Sequence, residues 1–243
     1  MLARGGLAET GRQGTGTLGH VIIRLPSLLA PADVQSVLDK LSGAVWQDGK
    51  QSAQGKARDA KTNLVVPAED AASSAAGLFL LERLSRHERF RSLTLPRTVL
   101  PFTFCRYDPG MAYGTHLDLP MMGRGPGAIR TDISMTLFLG SPDEYDGGTL
   151  VFDSESGEQR IRGELGEAVL YPASALHRVE TVLRGSRIVA ITWIQSLVRD
   201  ANRRRIVSDL SELAGRLDAH PDQHEQALIA RKTQYELLRM WAD

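Results

Sequence analysis

Cysteine is nearly missing from this chain, since Cys105 is the only one in 243 residues. A single thiol excludes an intramolecular disulfide and is typical of a reducing compartment, so we expect a cytoplasmic protein. Cys105 lies within a strand-like segment, which favours a small core residue over a nucleophile.

Net charge is missing as well, because 29 Lys and Arg residues balance 29 Asp and Glu residues. The balance leaves no electrostatic footprint for nucleic acid or for an anionic membrane, so we expect neither partner. The one basic run, residues 203–205, therefore predicts the solvated start of a helix rather than a nucleic-acid patch.

Long apolar runs are missing too, and no stretch approaches the roughly twenty consecutive apolar residues that cross a bilayer. Residues 1–19 are rich in Gly and Thr and lack the apolar region of a secretory signal. We therefore expect a soluble protein with a flexible N-terminal tail at residues 1–19.

The composition that remains, 42% apolar and 24% charged, is that of an ordinary globular chain. Short strand patterns separated by turn signals predict a double-stranded β-helix, a cupin-like jelly-roll barrel. Helical spacing occurs both before this barrel and after Arg199. We predict a mainly β, α+β fold with a jelly-roll domain at residues 20–199, supported by N-terminal helices, and a C-terminal helical extension at residues 200–243. Packing of the extension on the barrel and a homodimer through it both stay open.

A possible metal site is indicated by His116 and Asp118, which form an H-x-D motif in a strand-like segment. Side chains alternate faces along a strand, so both project to one side while Leu117 points into a core. His177 supplies a second imidazole from the far end of the strand that is predicted after residue 166. Two imidazoles and one carboxylate make a facial triad, which leaves three octahedral positions open for a chelating cosubstrate and dioxygen.

An anion site is indicated by Arg187, which opens the apolar run at residues 188–194. An inward guanidinium in such a strand is costly unless an anion meets it. A dicarboxylate is the anion that this arginine predicts.

Six stretches of sequence carry a resemblance to a known family. They are RYDPGMAYGTHLD at 106–118, RTDISMTLFL at 130–139, YDGGTL at 145–150, LYP at 170–172, LHRV at 176–179 and WIQSLVRD at 193–200. The segment from Phe104 to about Arg205 thereby closely resembles the iron(II)- and 2-oxoglutarate-dependent hydroxylases of the bacterial PKHD type, which are themselves similar to the prolyl hydroxylases. So dense a set of matches is far more specific than the metal motif alone.

The resemblance implies the metal chemistry. His116, Asp118 and His177 are its catalytic residues and hold Fe(II), and Arg187 binds the distal carboxylate of 2-oxoglutarate. The implied enzyme is a dioxygenase that hydroxylates an unactivated C–H bond with O2 while 2-oxoglutarate becomes succinate and CO2. Ascorbate is a candidate reductant. The related halogenases lack the carboxylate ligand, so Asp118 favours hydroxylation.

The resemblance also implies cosubstrate contacts. Tyr107 would reach the carboxylate end of 2-oxoglutarate that chelates the iron, although as a residue it also reads as a buried aromatic. The family often has a tyrosine beside the distal arginine, on the strand that corresponds here to residues 133–139. That strand has no tyrosine, and we assign Thr136 to the cosubstrate.

Lys61, Asn63, Tyr113 and Met121 are the residues that we assign to the substrate. The family typically shows Lys-Asn-Asn at residues 61–63, and Thr62 departs from that pattern. Lys61 reads equally as a solvated strand end and as a side chain that lines the cleft mouth.

Two loops, at residues 51–63 and 119–127, are expected to set specificity. Residues 51–60 are polar, small and basic, which indicates a mobile surface loop. Residues 119–127 read as a lid over the site or as a plain hairpin connection. The substrate itself, a prolyl or other peptidyl side chain or a small metabolite of secondary metabolism or iron acquisition, is not determined.

Two other functions stay open at this level. One is a cupin-like metalloenzyme that needs no 2-oxoglutarate, in which Arg187 is only a structural ion-pair partner. The other is a non-catalytic iron or oxygen sensor that uses the helical extension as its partner surface. Release of succinate separates the hydroxylase from both.

Overall fold

The computed structural model describes residues 22–52, 55–123, 125–154 and 157–243. The tail predicted at residues 1–19 lies outside the described residues. The α-helices are α1 (Pro31–Leu41), α2 (Gly55–Asp59), α3 (Ala71–Arg86), α4 (Glu88–Thr94), α5 (Ala201–Asp218) and α6 (His224–Trp241).

The strands, in chain order, are β1 (Ile23–Leu25), β2 (Gln47–Asp48), β3 (Lys61–Thr62), β4 (Leu64–Val65), β5 (Pro96–Val99), β6 (Thr103–Tyr107), β7 (Ala112–His116), β8 (Met121–Met122), β9 (Ile129–Arg130), β10 (Ile133–Phe138), β11 (Asp146–Gly147), β12 (Leu150–Ser154), β13 (Gly157–Ile161), β14 (Ala168–Pro172), β15 (His177–Val179), β16 (Val182–Arg184) and β17 (Arg187–Ser196). Four short 3-10 turns lie among the described residues: Gly49–Ser52, Gly125–Gly127, Pro142–Glu144 and Pro221–Gln223.

Two antiparallel sheets form the barrel. The larger sheet has the order β1-β14-β10-β17-β6-β4-β2, with β5 also paired to β17, and the smaller has the order β13-β12-β15-β7-β3. Val169 and Val189 of the larger sheet share one buried cluster with Leu150 and Phe152 of the smaller. The two sheets therefore pack face to face, as predicted for a jelly roll.

Strand β10 shows how the barrel separates its core from its interior. All six of its residues are buried. Met135 and Leu137 belong to the cluster that the outer helices cover. Ser134 and Thr136 alternate with them and so face the interior. Polar residues on a fully buried strand need polar partners, and these hydroxyls point at the candidate site.

The helices α1, α3 and α4 cover the outer face of the larger sheet. Val37, Leu80 and Phe90, one from each helix, are buried in the cluster beneath them. The N-terminal helices predicted before the barrel are confirmed, and α1 and α3 are the two longest of them. Helix α4 was not predicted. At the start of α4, the side chain of His87 accepts a hydrogen bond from Phe90 N.

The C-terminal helices α5 and α6 pack against each other, and α5 also contacts α4. Asp243, after α6, forms an ion pair with Arg130 at the base of β9. A homodimer through these helices stays a prediction. The expectation of a fully solvated run at residues 203–205 is wrong for Arg204, which is 7% exposed. Its guanidinium donates hydrogen bonds to the carbonyl oxygens of residues 198 and 199, just before the helix.

The two predicted specificity loops are more regular than the sequence indicated. Residues 51–60, expected to be an irregular loop, contain the end of a 3-10 turn and all of α2. The segment at residues 119–127, predicted to be a lid or a plain hairpin connection, contributes β8, which pairs with β9. Among the described residues, no helix is both long and apolar enough to cross a bilayer.

Candidate active site

An irregularity in strand β7 brings Tyr113 and His116 onto the same face. In the pairing of β7 with β15, His116 lies opposite His177, whereas Tyr113 lies opposite Val179. Three residues therefore span on β7 what two span on β15, which is the geometry of a β-bulge. As a result, the rings of Tyr113 and His116 stack with their centroids 3.7 Å apart.

Strand β7 ends at His116 and strand β15 begins at His177, and each boundary corrects one prediction. Alternation stops at His116, so Leu117 does not point into a core but is 53% exposed. His177 does not lie at the far end of β14, as predicted; it begins the next strand, β15, after a turn. Asp118 follows β7 and still meets both imidazoles.

His116, Asp118 and His177 each bring a ligand atom into a group whose members lie within 4.8 Å of one another. His116 Nδ1 lies 2.8 Å from the carbonyl oxygen of Gly114, and His177 Nδ1 lies 2.9 Å from that of Ala175. A carbonyl only accepts, so each Nδ1 carries the proton and each Nε2 keeps a lone pair for a metal.

The protonation of His116 also suits a metal. Burial, together with the neighbouring His177, lowers the pKa of His116 to about 4. The imidazole is therefore neutral near pH 7, which is the form that binds metal ions. Two imidazoles and one carboxylate form the donor set of a non-haem Fe(II) site.

Ser134 holds the carboxylate in place, a contact that we did not predict. Its hydroxyl donates a hydrogen bond of 2.5 Å to Asp118 Oδ2. Ser134 is 1% exposed, so the contact is shielded from water. With Oδ2 occupied, the other carboxylate oxygen is left for a metal.

Arg187 lies as predicted, at the start of β17 and 1% exposed. Its Cζ lies 5.2 Å from the ring centroid of Tyr107 and 5.4 Å from that of Phe138. Its Nε and Nη1 have no hydrogen-bond partner among the described residues, and no described carboxylate forms an ion pair with it. A buried guanidinium in this state fits an anion supplied from outside the chain.

Tyr107 and Thr136 both line the same cavity as the metal cluster. Tyr107 lies directly opposite Arg187 in the pairing of β6 with β17. Burial raises the pKa of the Tyr107 phenol well above its ordinary value, so the hydroxyl keeps its proton and can donate it. Phe138, on β10, packs against Arg187. This is the strand on which the family often has a tyrosine.

Tyr171 is a site residue that the sequence reasoning missed. Its hydroxyl lies 3.5 Å from both Thr136 Oγ1 and His177 Nε2, at the limit of a hydrogen bond. Its ring meets that of His177 edge to face at 5.0 Å. The LYP match contained the signal, because Tyr171 alternates in phase with Val169 on the inner face of β14.

The residues assigned to the substrate separate into two groups. Lys61, Tyr113 and Met121 line the cavity. Lys61 is 4% exposed, which removes the reading as a solvated strand end. Asn63 is not among the described residues that line the cavity. It is buried and packs inward beside Gly49, where an added Cβ would lie 1.8 Å from Asn63 Oδ1. We therefore withdraw its substrate contact.

The cavity that joins these groups has a volume of about 730 Å³. The buried side chains of Arg187 and His177 define its floor, and the exposed side chains of Leu117, Leu119 and Met121 define its mouth. Cavities of this size bind small molecules that are mostly removed from water. The site can therefore hold a metal, a small dicarboxylate and a second organic molecule side by side.

A jelly roll with a His-Asp-His cluster and a buried arginine in one cavity defines the class of the iron- and 2-oxoglutarate-dependent oxygenases. Residues 102–195 match the family model of the 2OG-Fe(II) oxygenase superfamily. This range includes the metal cluster, Tyr107, Thr136 and Arg187.

Similar sequences define the family more closely. A PKHD-type hydroxylase from Gluconobacter oxydans is 40% identical over 227 residues, which cover 92% of this chain and 100% of the relative. A PKHD-type hydroxylase from Xanthomonas axonopodis pv. citri is 37% identical over the same shares. The chain belongs to the PKHD-type hydroxylases, a family of 2-oxoglutarate-dependent enzymes. Membership in this family supports the hydroxylase over the two alternatives, the non-catalytic sensor and the metalloenzyme that needs no 2-oxoglutarate.

Solved structures confirm the fold. A prolyl-4-hydroxylase of Pseudomonas putida aligns with a TM-score of 0.51 and 17% identity, covering 73% of this chain and 93% of that one. HygX of Streptomyces hygroscopicus, with nickel and 2-oxoglutarate bound, aligns with a TM-score of 0.50 and 12% identity, covering 72% and 82%. At these identities the likeness establishes the jelly roll alone.

Proposed function

We propose that His116, Asp118 and His177 hold Fe(II) in this hydroxylase and that Arg187 binds the distal carboxylate of 2-oxoglutarate. The observation that carries the proposal is that Arg187 is buried without an acidic partner among the described residues, in the cavity that contains the metal cluster. When bound, iron and 2-oxoglutarate supply the oxidation of a C–H bond to an alcohol, as O2 and 2-oxoglutarate become succinate and CO2.

The chain contributes geometry to this reaction. The Gly114 and Ala175 carbonyls fix the imidazole protons on Nδ1, and Ser134 fixes the carboxylate of Asp118. The guanidinium of Arg187 offers a planar fork that matches a carboxylate. Each group is set before any ligand arrives, so little free energy is lost in arranging the site.

Three further hydroxyls lie along the proposed path of 2-oxoglutarate. Tyr107 is adjacent to Arg187, and the Tyr171 hydroxyl lies 3.5 Å from both Thr136 Oγ1 and His177 Nε2. We assign Tyr107 and Thr136 to the cosubstrate and add Tyr171. These donors orient the molecule and replace the water that it loses on binding.

The substrate enters from the mouth, past Lys61, Tyr113 and Met121. The hairpin of β8 and β9 is the proposed lid, because it stands beside the metal cluster and carries Met121. Closure of such a lid would exclude water from the C–H bond that is to be oxidised. The substrate is a peptidyl or prolyl side chain or a small metabolite, ascorbate is the proposed reductant, and the cytoplasm is the proposed location.

Formation of succinate tests the proposal without knowledge of the substrate. The protein is supplied with Fe(II), ascorbate, O2 and carbon-13-labelled 2-oxoglutarate, and labelled succinate is followed by NMR. We expect slow succinate formation by the natural chain and none by Asp118→Ala. Asp39→Ala, a change of an exposed carboxylate on α1, is the matched control and leaves the rate unchanged. Absence of succinate with the natural chain contradicts the proposal.

A further inference from the structure

The cavity offers more room than a small dicarboxylate and a metal ion require. Its volume of about 730 Å³ lies well within the range of roughly 300–1,000 Å³ that takes drug-sized ligands. The lining includes side chains that the metal and 2-oxoglutarate would not use, among them one cation and several apolar residues. Together these side chains describe the molecule that would fill the remaining space.

The cation is Lys61. Its position is set by the pairing of β3 with β7, in which Lys61 lies opposite Tyr113. Its Nζ lies 5.0 Å from the Tyr113 ring centroid, and that ring stacks on His116 at 3.7 Å. The ammonium is therefore no farther from the His116 ring than these two distances together.

The surroundings of Lys61 bear on its charge. Burial lowers the pKa of Lys61, while the carboxylates of Asp118 and Asp48 act in the opposite direction. An ammonium held inside a cavity attracts an anion more strongly than one in water, because the local dielectric constant is lower.

The apolar wall consists of Leu117, Leu119 and Met121. They line the same cavity and are 53%, 43% and 51% exposed, respectively. Single exposed apolar side chains are ordinary, but three that share the rim of one cavity indicate a surface that is covered when a ligand binds. The cavity thus contains one buried cation and, at its mouth, an apolar wall.

We propose that the substrate of this enzyme is a small carboxylic acid with an apolar body. This rests on the proposed function, because the metal and 2-oxoglutarate must occupy the floor of the cavity. The carboxylate meets Lys61, and the body lies along the wall of Leu117, Leu119 and Met121. Since Lys61 is separated from His116 only by the Tyr113 ring, the carbon that is hydroxylated lies within a few bonds of the carboxylate. One oxygen atom of O2 enters that C–H bond, and the other enters succinate.

The probe for this proposal is octanoate, which has one carboxylate and an alkyl body. The protein is loaded with Mn(II) and saturating 2-oxoglutarate, so that Arg187 is occupied, and octanoate proton relaxation is measured by NMR. The same protein loaded with Zn(II) gives the reference without a paramagnetic ion. We expect the methylene next to the carboxylate to relax most strongly. Strongest relaxation at the terminal methyl group overturns the proposed orientation.

Octylamine is the counter-probe, because it has the same chain length and the opposite charge. We expect its dissociation constant to exceed that of octanoate at least tenfold. Along the series butyrate, hexanoate and octanoate, affinity rises about three- to fourfold for each methylene that reaches the apolar wall. Equal binding of octylamine, or no gain with chain length, overturns the proposal with the natural chain alone.

Substitutions locate the two contacts. Lys61→Met raises the dissociation constant of octanoate at least tenfold, whereas Lys61→Arg retains most of the affinity. Lys50→Met, in the 3-10 turn that precedes α2, is the matched control and changes nothing. Leu119→Ser reduces the gain for each methylene without changing the preference for the acid. An unchanged affinity in Lys61→Met contradicts the assignment.

A parallel sample separates this inference from the proposed function. The same preparation is loaded anaerobically with Fe(II) and 2-oxoglutarate, and the visible charge-transfer band is recorded. If the band is present and octanoate fails to bind, the substrate class is wrong and the enzyme assignment stands. If the band is absent, the proposed function is wrong, and this inference, which rests on it, is wrong as well.

Discussion

The hydroxyl of Ser134 donates a hydrogen bond of 2.5 Å to Asp118 Oδ2, across sixteen positions of sequence. Both side chains face the barrel interior, one from β10 and one just after β7. Partners of this kind set the orientation of a metal ligand and leave one oxygen for the ion. Ser134 is thus a positioning residue for the proposed metal site.

Substitution of Ser134 tests this role. Because outer partners of metal ligands typically affect metal affinity by roughly 10–100-fold, Ser134→Ala should weaken Ni(II) binding by that factor in calorimetry. Ser134→Thr keeps the hydroxyl and should restore most of the affinity. Ser73→Ala, at another buried serine on α3, serves as the control. Equal Ni(II) affinity in Ser134→Ala and the natural chain would show that the contact is only structural.

Gly114 is the position where the bulge in β7 meets the segment before β3. An added Cβ there would lie 2.9 Å from the Cβ of Ala60, closer than packed carbons come. We expect Gly114→Ala to lower the free energy of unfolding by about 1–3 kcal/mol, as for other overpacked sites, and to weaken metal binding because His116 shifts. Denaturant unfolding and Ni(II) calorimetry measure the two effects.

A second change identifies the cause. Ala60→Gly removes the opposing Cβ, so the double variant Ala60→Gly/Gly114→Ala should recover most of the lost stability and metal affinity. Gly43→Ala is the control, because nothing lies within 4 Å of the added Cβ. If the double variant is no better than Gly114→Ala alone, the close contact with Ala60 is not the reason.

The ion pair of Arg24 with Glu167 ties β1 to the start of β14. Arg24 Nε and Nη2 donate to the carboxylate at 2.5 and 2.7 Å, and the side chain of Glu167 is 1% exposed. Burial alone would raise the pKa of Glu167, but hydrogen bonds from Arg24 and the Glu164 backbone outweigh it and leave the pKa below the ordinary 4.5.

Because the folded pKa of Glu167 is lowered, its stabilisation is present above the ordinary value and is lost as the pH falls through the folded value. Arg24→Met should therefore lower the free energy of unfolding by about 1–2 kcal/mol near pH 7, and by less near pH 3. The loss is no larger because Arg24 is half exposed and solvent screens the ion pair. Urea unfolding at both pH values measures the difference. Arg86→Met, which breaks an exposed pair on α3, should have little effect. An Arg24→Met cost that grows on acidification would reverse the assigned sign.

The sequence was sufficient to predict the parts of the site that rest on local pattern. His116 and Asp118 share a motif, and Arg187 stands out because a charged residue opens an apolar strand. Their assembly required only the alternation of strands and a familiar donor set. The jelly roll followed from short strands separated by turns, and the structure confirms it.

The parts that failed depend on where a strand ends or on what lies across the barrel. Leu117 was placed in a core because alternation was extended past His116, where β7 stops. His177 was assigned to β14, although Pro172 closes that strand and a turn separates it from β15.

The local sequence pattern also could not predict contacts between residues far apart in the chain. Nothing local to Ser134 indicates that Asp118 lies opposite it, and Tyr171 was read only as part of a strand. Arg204 was read as solvated from its charge, although its guanidinium reaches back to carbonyl oxygens before α5. Such contacts are set by packing, which a local pattern does not contain.

The most direct test is the anaerobic charge-transfer band of Fe(II) with 2-oxoglutarate, recorded for the natural chain, His177→Ala, Arg187→Met and Arg184→Met. Arg184 is exposed and pairs with Asp146, so its variant is the matched control. We predict a visible band in the natural chain and in Arg184→Met, no band in His177→Ala, and at least a tenfold higher 2-oxoglutarate requirement in Arg187→Met. No band in the natural chain, or an unchanged requirement in Arg187→Met, would contradict the proposed site.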